Sequence, residues 1–314
     1  MKKLTFLLCL PVVFFLFFSC SELDRAGISG NQIGNTRKFY ENNREIAQWV
    51  YEDGGKITKT GRPVEGRVKF MRTRAGEEVY FDVIIYKDNA PVDGTYSSYY
   101  KGGQLHGKFE LKNDRMNGKM EEYFNSGRVM AAYNMVNDDF DGPFVKYYEK
   151  GAKRTEGNYK NNLLEGKSAD YSDKGKTIST AEYKGGKFEG VFTWYHDNGK
   201  IKQETGYKGG IQDGILKVYN DGGVLSAQGT NVKGKLNGKY FWYNEKGKLM
   251  SEAVFKDGQR NGYLKSFDEA GKVIMTGNLK NDKKEGLFTV YKPDGGKISE
   301  EMFREDKSVS KKVF

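Results

Sequence analysis

Cysteine, histidine and proline are scarce in this sequence of 314 residues, which contains 2 Cys, 2 His and 5 Pro. Cys9 lies inside an apolar N-terminal segment, so Cys20 has no second thiol in the remaining chain with which to form a disulfide. So few histidines and cysteines also exclude a repeated metal array, and we expect neither a metal nor a cofactor. Stability must therefore come from packing.

Beyond its N-terminal segment the chain also lacks long apolar runs, and its mean hydropathy is −0.75. It is rich instead in glycine and aromatic residues, with 40 Gly, 21 Tyr and 20 Phe. This balance is unusual for one compact core and indicates internal repeats. Both charge signs are present, and the formal charge of +10 falls to +8 without Lys2 and Lys3.

Residues 1–19, MKKLTFLLCLPVVFFLFFS, have the pattern of a secretory signal peptide, with an apolar stretch too short to span a bilayer comfortably. The motif FFSC at 17–20 resembles the lipobox of bacterial lipoproteins, although Phe17 stands where leucine is usual. The resemblance implies lipidation of Cys20 and a membrane-anchored lipoprotein of the bacterial cell envelope, at the outer membrane or cell surface rather than the inner membrane. The alternative is ordinary cleavage that leaves Cys20 free. Residues 20–45 are polar and predict a flexible tether.

Glycine recurs with a period of 24 residues from Gly94 onward. We call these residues anchor glycines; a turn glycine follows each of them after nine residues, and an aromatic residue follows each anchor after five. The anchors are Gly94, Gly118, Gly142, Gly166, Gly190, Gly214, Gly238, Gly262 and Gly286; the turn glycines are Gly103, Gly127, Gly151, Gly175, Gly199, Gly223, Gly247, Gly271 and Gly295; the aromatics are Tyr99, Tyr123, Tyr147, Tyr171, Tyr195, Tyr219, Tyr243, Phe267 and Tyr291.

Each copy predicts two short strands and two turns. In the copy anchored at Gly190, residues 191–195 form the first strand, 196–199 a tight turn, and 200–208 the second strand. Residues 209–210 then turn towards the next anchor. A positive φ explains the turn glycine; for the anchor glycine, a positive φ and a close backbone approach both remain open.

The pattern G-x-φ-x-x-Y-x-x-x-G-K, followed by Y-K-x-G-x-x-x-G, resembles the MORN repeat family, and specifically the longer bacterial variant of YwqK-type antitoxin proteins. Regular copies occupy residues 94–303, degenerate and irregular copies 46–93, and a basic tail 304–314. Ser168 and Asn231 depart from the pattern, because each replaces a usual large residue. The resemblance implies an all-β fold, an elongated single-sheet array of β-hairpin repeats with a 24-residue period.

Two strands per copy predict a rise of roughly 10 Å per repeat and a rod or curved ribbon on the order of 100 Å long. Contacts between neighbours should dominate its stability, and the tail at 304–314 is expected to cap the last edge.

The reactive-looking residues do not form a catalytic or metal-binding pattern. His106 and His196 stand at different positions of their copies and have no partner at ligand spacing. Gly166-Lys167-Ser168 imitates the end of a phosphate-binding loop, but Asn161 replaces the required first glycine. Acidic residues seven positions after the anchors recur as turn residues do. We therefore expect no enzyme activity and no small-molecule substrate.

Lysine recurs in two sets. One set follows turn glycines (Lys176, Lys200, Lys248, Lys272), and the other follows the second-strand aromatic or its substitute. Rows of lysine predict binding of anionic lipid or an envelope polymer, whereas turn acids beside them favour a plain solvated surface. Nucleic acid is not expected as a partner. The second set is Lys160, Lys184, Lys208, Lys256 and Lys280.

Two tryptophans provide the better binding candidate. Trp194 and Trp242 stand four residues after their anchors, at a position that is charged in other copies, such as Lys146. With Val218 they predict an exposed apolar strip, the tryptophans lying about 20 Å apart; the alternative is that they belong to the core. Tryptophan is a frequent anchor of protein interfaces.

These observations predict a lipid-anchored, non-enzymatic scaffold that binds a protein partner at the cell envelope. The YwqK resemblance implies an alternative, an antitoxin or immunity protein whose partner is a toxin. Direct binding of anionic lipid or envelope polymer is the third hypothesis.

Overall fold

A computed structural model describes residues 28–33, 36–42, 44–52, 56–74 and 77–314. The described residues form strands, turns and irregular connections without a helix, and all 31 strands belong to one sheet. The predicted signal peptide and Cys20 lie outside the described residues. The all-β array of hairpin repeats expected from the sequence is confirmed.

The first strands, which precede the regular copies, are β1 (Ile28–Ile33), β2 (Thr36–Glu41), β3 (Arg44–Tyr51), β4 (Ile57–Gly61), β5 (Gly66–Arg74), β6 (Glu77–Lys87) and β7 (Ala90–Pro91). The regular copies up to residue 188 contain β8 (Gly94–Tyr100), β9 (Leu105–Lys112), β10 (Arg115–Tyr123), β11 (Val129–Val136), β12 (Asp139–Phe140), β13 (Gly142–Tyr147), β14 (Lys153–Lys160), β15 (Leu163–Leu164), β16 (Gly166–Tyr171), β17 (Thr177–Lys184) and β18 (Lys187–Phe188). The remaining strands are β19 (Gly190–Tyr195), β20 (Ile201–Lys208), β21 (Ile211–Tyr219), β22 (Leu225–Val232), β23 (Lys235–Leu236), β24 (Gly238–Tyr243), β25 (Leu249–Lys256), β26 (Gln259–Phe267), β27 (Val273–Lys280), β28 (Lys283–Lys284), β29 (Gly286–Tyr291), β30 (Lys297–Arg304) and β31 (Lys307–Val313).

Within a copy the two long strands are joined by a three-residue turn. In the Gly190 copy, the backbone N–H of Gly199 donates to the carbonyl of His196 at 2.8 Å, and the N–H of His196 donates to the carbonyl of Lys200 at 2.8 Å. All nine turn glycines have φ between 76° and 95°. Each therefore supplies the residue in the left-handed conformation that closes such a hairpin. The strand bounds of this copy, β19 and β20, agree with the prediction to within about one residue.

A two-residue turn follows each second strand. Gly209 and Gly210 have φ of 59° and 87°, and both central residues of the corresponding turns in the other copies also have positive φ. This is the type I′ turn, whose twist matches that of the flanking strands. The chain then forms a short pairing segment before the anchor, such as β18, which the sequence prediction missed.

The anchor glycines also have positive φ, from 75° at Gly166 to 155° at Gly94. A Cβ at Gly262 would lie 2.9 Å from the Cβ of Val254, whereas at Gly238 it would meet nothing within 4 Å. Positive φ is therefore the shared requirement, and close approach applies only to some copies.

The prediction that residues 20–45 form a flexible tether is wrong for β1 and β2. It is also wrong for the start of β3, which begins at Arg44. β1 pairs parallel with β5 and antiparallel with β2, while β2 pairs with β3. Tertiary packing overrides the polar composition here, because Phe39 of β2 is fully buried.

The described residues divide into two compact units, one reaching Lys153 and including Tyr159–Asn162, the other comprising Arg154–Asn158 and Leu163–Phe314. In the first unit, the β2–β3 hairpin covers one face of β5, β6, β8 and β9. Its Phe39 and Trp49 enter a buried cluster with Tyr86. Ring centroids lie 5.4 Å apart for Phe39 and Tyr86, and 5.5 Å apart for Trp49 and Tyr86.

Candidate interaction surface

The predicted tryptophan strip lies on one row of directly opposed residues in the second unit. Trp194 pairs with Gln203, Gln203 with Val218, Val218 with Ala227, and Ala227 with Trp242. Because opposed residues of neighbouring strands share a face, Trp194, Val218 and Trp242 point to the same side of the sheet. We call this side of β18 to β25 the aromatic face.

Two aromatic clusters stand on the aromatic face. In ridge 1, Trp194 contacts Phe192 with ring centroids 4.6 Å apart, and Phe192 contacts Phe188 at 5.1 Å. Trp194 is 41% exposed, as predicted for a solvent-facing position. Tyr207 completes ridge 1, 5.2 Å from Phe188.

Ridge 2 consists of Tyr240, Trp242 and Phe255. The ring of Trp242 lies 4.6 Å from that of Tyr240 and 6.1 Å from that of Phe255. Trp242 is half-buried, as is Val218, so the strip combines one exposed tryptophan with two partly packed residues. The two tryptophans are separated by four strand spacings, or about 19 Å.

A shallow groove separates the two ridges. Its floor is formed by Leu216, Val218, Ala227 and Gly229, whose side chains are small or aliphatic. The ring of Tyr240 packs directly over Gly229, where a Cβ would collide with it. The groove is therefore bounded by aromatic rings, and Leu216 and Val218 form the half-buried part of its floor, since Ala227 is buried and Gly229 is covered by Tyr240.

No charged residue stands on the aromatic face between Phe188 and Phe255. The register places these residues on it: Phe188, Phe192, Trp194, Gln203, Thr205, Tyr207, Gln212, Leu216, Val218, Ala227, Gly229, Asn231, Leu236, Tyr240, Trp242, Ser251, Ala253 and Phe255.

The opposite side of the same strands, the charged face, carries charged side chains together with exposed apolar ones such as Val191 and Ile215. Glu204 is opposed to Lys217, and Glu252 to Lys265, whose ammonium lies 3.9 Å from the Glu252 carboxylate. The hydroxyl of Tyr219 donates to Glu204 Oε2 at 2.8 Å. Burial and this hydrogen bond raise the pKa of Tyr219 to about 12. The two faces therefore differ in charge.

His196 belongs to a turn rather than to a reactive cluster. Its Nε2 lies 3.0 Å from the carbonyl oxygen of Tyr219, in the next copy. The lysines after the turn glycines make the same kind of link: Lys200 Nζ donates to the carbonyl of Gly222 at 2.7 Å, and Lys248 Nζ to that of Glu269 at 2.7 Å. Lys176 and Lys272 donate likewise to Asp197 and Pro293. These four lysines fasten neighbouring turns.

The second lysine set occupies the opposite ends of the hairpins. Each member is the last residue of a long strand, is exposed, and precedes a type I′ turn; the members are Lys160, Lys184, Lys208, Lys256 and Lys280.

The residue before each anchor has a role that the sequence prediction missed. The carboxylate of Glu189 accepts a hydrogen bond from the backbone N–H of Gly209 at 2.8 Å, and Glu165 accepts one from Gly185 at 2.8 Å. An acid or an amide precedes all nine anchors, and that regularity was the available signal. These side chains satisfy the N–H of the next type I′ turn.

The first unit contains two polar clusters. Arg37 Nη1 lies 3.0 Å from Asp114 Oδ1 and 3.0 Å from the Tyr86 hydroxyl, and Tyr51 donates to Asp114 Oδ2 at 3.0 Å. These contacts of Arg37 and Tyr51 hold the covering hairpin in place. Burial raises the pKa of Tyr51.

In the other cluster, His106 is stacked on Tyr80 at 4.0 Å, with its Nδ1 3.0 Å from Ser98 Oγ. Asp82 lies opposite Ser98 in the sheet. Ser98 and Asp82 are each 4% exposed, so this serine is not presented to a substrate.

In the described part of the chain, no group of three or more His, Cys, Asp or Glu side chains is placed to hold a metal ion. Likewise, none of the described residues forms a helix capable of crossing a membrane.

Fold and surface together define an all-β repeat protein with one uncharged aromatic face. Four segments match the family model described as the MORN repeat variant: residues 92–113, 140–161, 188–208 and 236–257. The matches start near every second anchor, and these four segments are similar to the MORN repeat variant. Two of them, 188–208 and 236–257, contain Trp194 and Trp242.

No curated protein matches the sequence. Among solved structures, the chain is similar to a chain of the TcdB2-TccC3-Cdc42 complex, with 10% identity and a TM-score of 0.15. The match covers 85% of the present chain and 19% of the chain in that complex. A Tc holotoxin pore of Photorhabdus luminescens, carrying a mutation in TccC3, matches with the same identity, coverage and TM-score. The chain thus spans about a fifth of the length of these structures' chains.

Proposed function

We propose that this protein is a non-enzymatic scaffold that binds a protein partner through the aromatic face. The uncharged stretch between ridge 1 and ridge 2 is the observation that supports the proposal. Contiguous apolar patches larger than a few hundred Å² on a protein surface mark interaction sites, and Trp194 and Trp242 supply the residue type that most often dominates binding energy.

The proposal includes the anchor predicted from the sequence. A lipid on Cys20 would hold the scaffold at the bacterial envelope, in the outer membrane or at the cell surface. A single acyl chain binds a membrane only marginally, so stable attachment requires the multiple chains of a lipoprotein. Metabolic labelling with a clickable fatty acid, compared between wild type and Cys20→Ser, tests the anchor separately from binding.

Affinity purification from native envelopes tests the partner. Three forms of the lipidated protein are compared: wild type, Trp194→Ala with Trp242→Ala, and Phe241→Ala. Phe241 lies next to Trp242 in β24 and faces the charged side, where it is opposed to Glu252. A protein recovered by wild type and by Phe241→Ala, but lost from the tryptophan variant, is the expected result. Identical recovery by all three forms would contradict the proposal.

The partner could be a toxin, which would make the scaffold an antitoxin or immunity protein of the YwqK type. This identity rests on the resemblance in the repeat pattern. Growth rescue from the recovered protein, by wild type but not by the tryptophan variant, is the test.

The second lysine set supports a different candidate function, the binding of anionic lipid or polymer. Lys184, Lys208 and Lys256 are exposed at the same position of their copies. Binding to phosphatidylglycerol vesicles that disappears between low and high salt, and that survives in the tryptophan variant, would favour this alternative.

A further inference from the structure

The first unit shows what fits on the face of these repeats. Tyr86 pairs with Pro91 as Tyr207 pairs with Gln212, so Tyr86 and Tyr207 occupy equivalent positions. Tyr86 is 1% exposed because Phe39 and Trp49 of the β2–β3 hairpin pack on it. Tyr207 is only half-buried.

From this equivalence we propose that the occupant of the aromatic face is an antiparallel β-hairpin of the partner protein, with aromatic side chains on its packing side. This inference rests on the proposed function and specifies the structure of the partner. The hairpin lies in the groove between ridge 1 and ridge 2.

The width of the groove suits two strands. At the row of the tryptophans, which stand about 19 Å apart, a hairpin about 10 Å wide fits between the ridges over Gln203, Val218 and Ala227. The half-buried aliphatic side chains of Leu216 and Val218 in the floor offer a surface on which aromatic side chains of the hairpin can pack. A helix, about 10–12 Å in diameter, would contact the rings but lacks the flat match to the sheet.

The area of the face favours a hairpin over a second copy of this chain. Six strands and about five residues along each strand give a face of roughly 30 by 17 Å, or about 500 Å². A complex would then bury about 1,000 Å² in total, whereas permanent homodimers bury about 2,000 Å² or more. A small recognition element matches this area.

Charge narrows the chemistry of the hairpin further. In the first unit Arg37 of the covering hairpin reaches Asp114, the second residue of a type I′ turn. The equivalent residues beside the groove are Gly210 and Gly234, which provide no carboxylate. Burying an unpaired arginine there would be unfavourable, so the partner's hairpin carries neutral side chains towards the aromatic face.

The test uses the chain's own hairpin sequence as the probe. A peptide of residues 36–51, TRKFYENNREIAQWVY, is closed by an added terminal disulfide, and its hairpin is verified by NMR before use. A second probe carries Arg37→Thr, and a control peptide carries Phe39→Ser and Trp49→Ser. Binding to the full mature chain is measured by isothermal titration calorimetry.

We expect saturable binding of both probes, with the Arg37→Thr peptide at least as tight, and no binding of the control peptide. The chain variant Trp194→Ala with Trp242→Ala should bind at least tenfold more weakly, while Phe241→Ala should bind as wild type does. Circular dichroism of each chain variant checks that it is folded.

Absence of binding by the verified hairpin, or equal binding by the tryptophan variant, would overturn the proposal. A tryptophan-dependent dimer in analytical ultracentrifugation that the peptide does not dissociate would assign the face to a second copy instead. If envelope purification still recovers a tryptophan-dependent partner, the scaffold function stands and only the hairpin inference fails.

Discussion

At the scale of single residues, backbone conformation controls the type I′ turns. Most of their central positions hold Gly, Asn or Asp, the residues that tolerate positive φ, but Lys233 has φ of 50° and Glu305 has φ of 46°. A left-handed conformation costs an ordinary side chain about 1–2 kcal/mol. These two positions are therefore local sources of strain.

Replacement of Lys233 by asparagine should stabilise the protein by about 1 kcal/mol, because asparagine accepts positive φ more readily. The reverse change, Asn137→Lys at the same place of another turn, should destabilise it by a similar amount. Urea unfolding of wild type and both variants measures the difference. Destabilisation by Lys233→Asn would show that other contacts of Lys233 outweigh its strain.

His106 should make the free energy of unfolding depend on pH. Burial lowers the pKa of His106, and Asp82 opposes this only in part. The unfolded chain therefore takes up the proton near pH 6.5 and the folded chain at lower pH. Stability from neutral His106 is complete above pH 6.5 and is lost as the pH falls towards the folded pKa, by at most about 1.4 kcal/mol per pH unit.

Unfolding free energies at pH 7.5 and pH 5.5 test this prediction. The loss between the two pH values should be larger for wild type than for His106→Gln, which cannot titrate. An equal loss in both proteins would assign the pH dependence to groups other than His106.

At the scale of strands and turns, lysines at one end of the hairpins and acids at the other connect consecutive copies. Lys248→Met should remove the bond to the Glu269 carbonyl and cost about 0.5–1 kcal/mol, the usual net value of a hydrogen bond. Lys256→Met is the matched control, since Lys256 is an exposed residue at the opposite end of the same hairpin. Thermal unfolding should show a lower midpoint for the first variant only; equal midpoints would refute a fastening role for Lys248.

The covering hairpin of the first unit depends on its ion pair. The side chains of Arg37 and Asp114 are 14% and 19% exposed. Arg37→Met would leave the Asp114 carboxylate without its cation in a poorly solvated place, and such losses cost about 3–5 kcal/mol. Asp114→Asn alone should also destabilise, and the double variant should be less unstable than the sum of the two. Strict additivity in this double-mutant cycle would contradict direct coupling.

The sequence predicts these elements unevenly. The turn glycines and the bounds of β19 and β20 were predictable, because a period of 24 residues shows the same local chemistry many times. β1 and β2 were missed, because their strand state comes from pairing with β5 and from the burial of Phe39 rather than from local propensity. The shared position of Trp194, Val218 and Trp242 in the 24-residue period predicted that they lie in one row. It did not predict the partial packing of Trp242 on Phe255.

At the scale of the whole molecule, the period of 24 residues makes the copies separable modules. Each interacts mainly with its neighbours, so removal of one period in phase should leave the others folded. Deletion of residues 201–224 joins Lys200 to Leu225 and keeps the alternation of long strands. It removes β20 and β21, and with them Leu216 and Val218 of the groove floor and Tyr207 of ridge 1, but it retains both tryptophans.

This deletion separates the geometry of the groove from its composition. Trp194 and Trp242 would come to lie two strand spacings apart, or about 10 Å, which leaves no room between the ridges for a hairpin. Binding of the hairpin peptide should therefore be lost although both tryptophans remain. Deletion of residues 273–296 is the control, because it removes the same number of residues outside the aromatic face and should preserve binding. Retained binding after the first deletion would show that the tryptophans act singly, each as an independent anchor, and that the groove between them is not the recognition element.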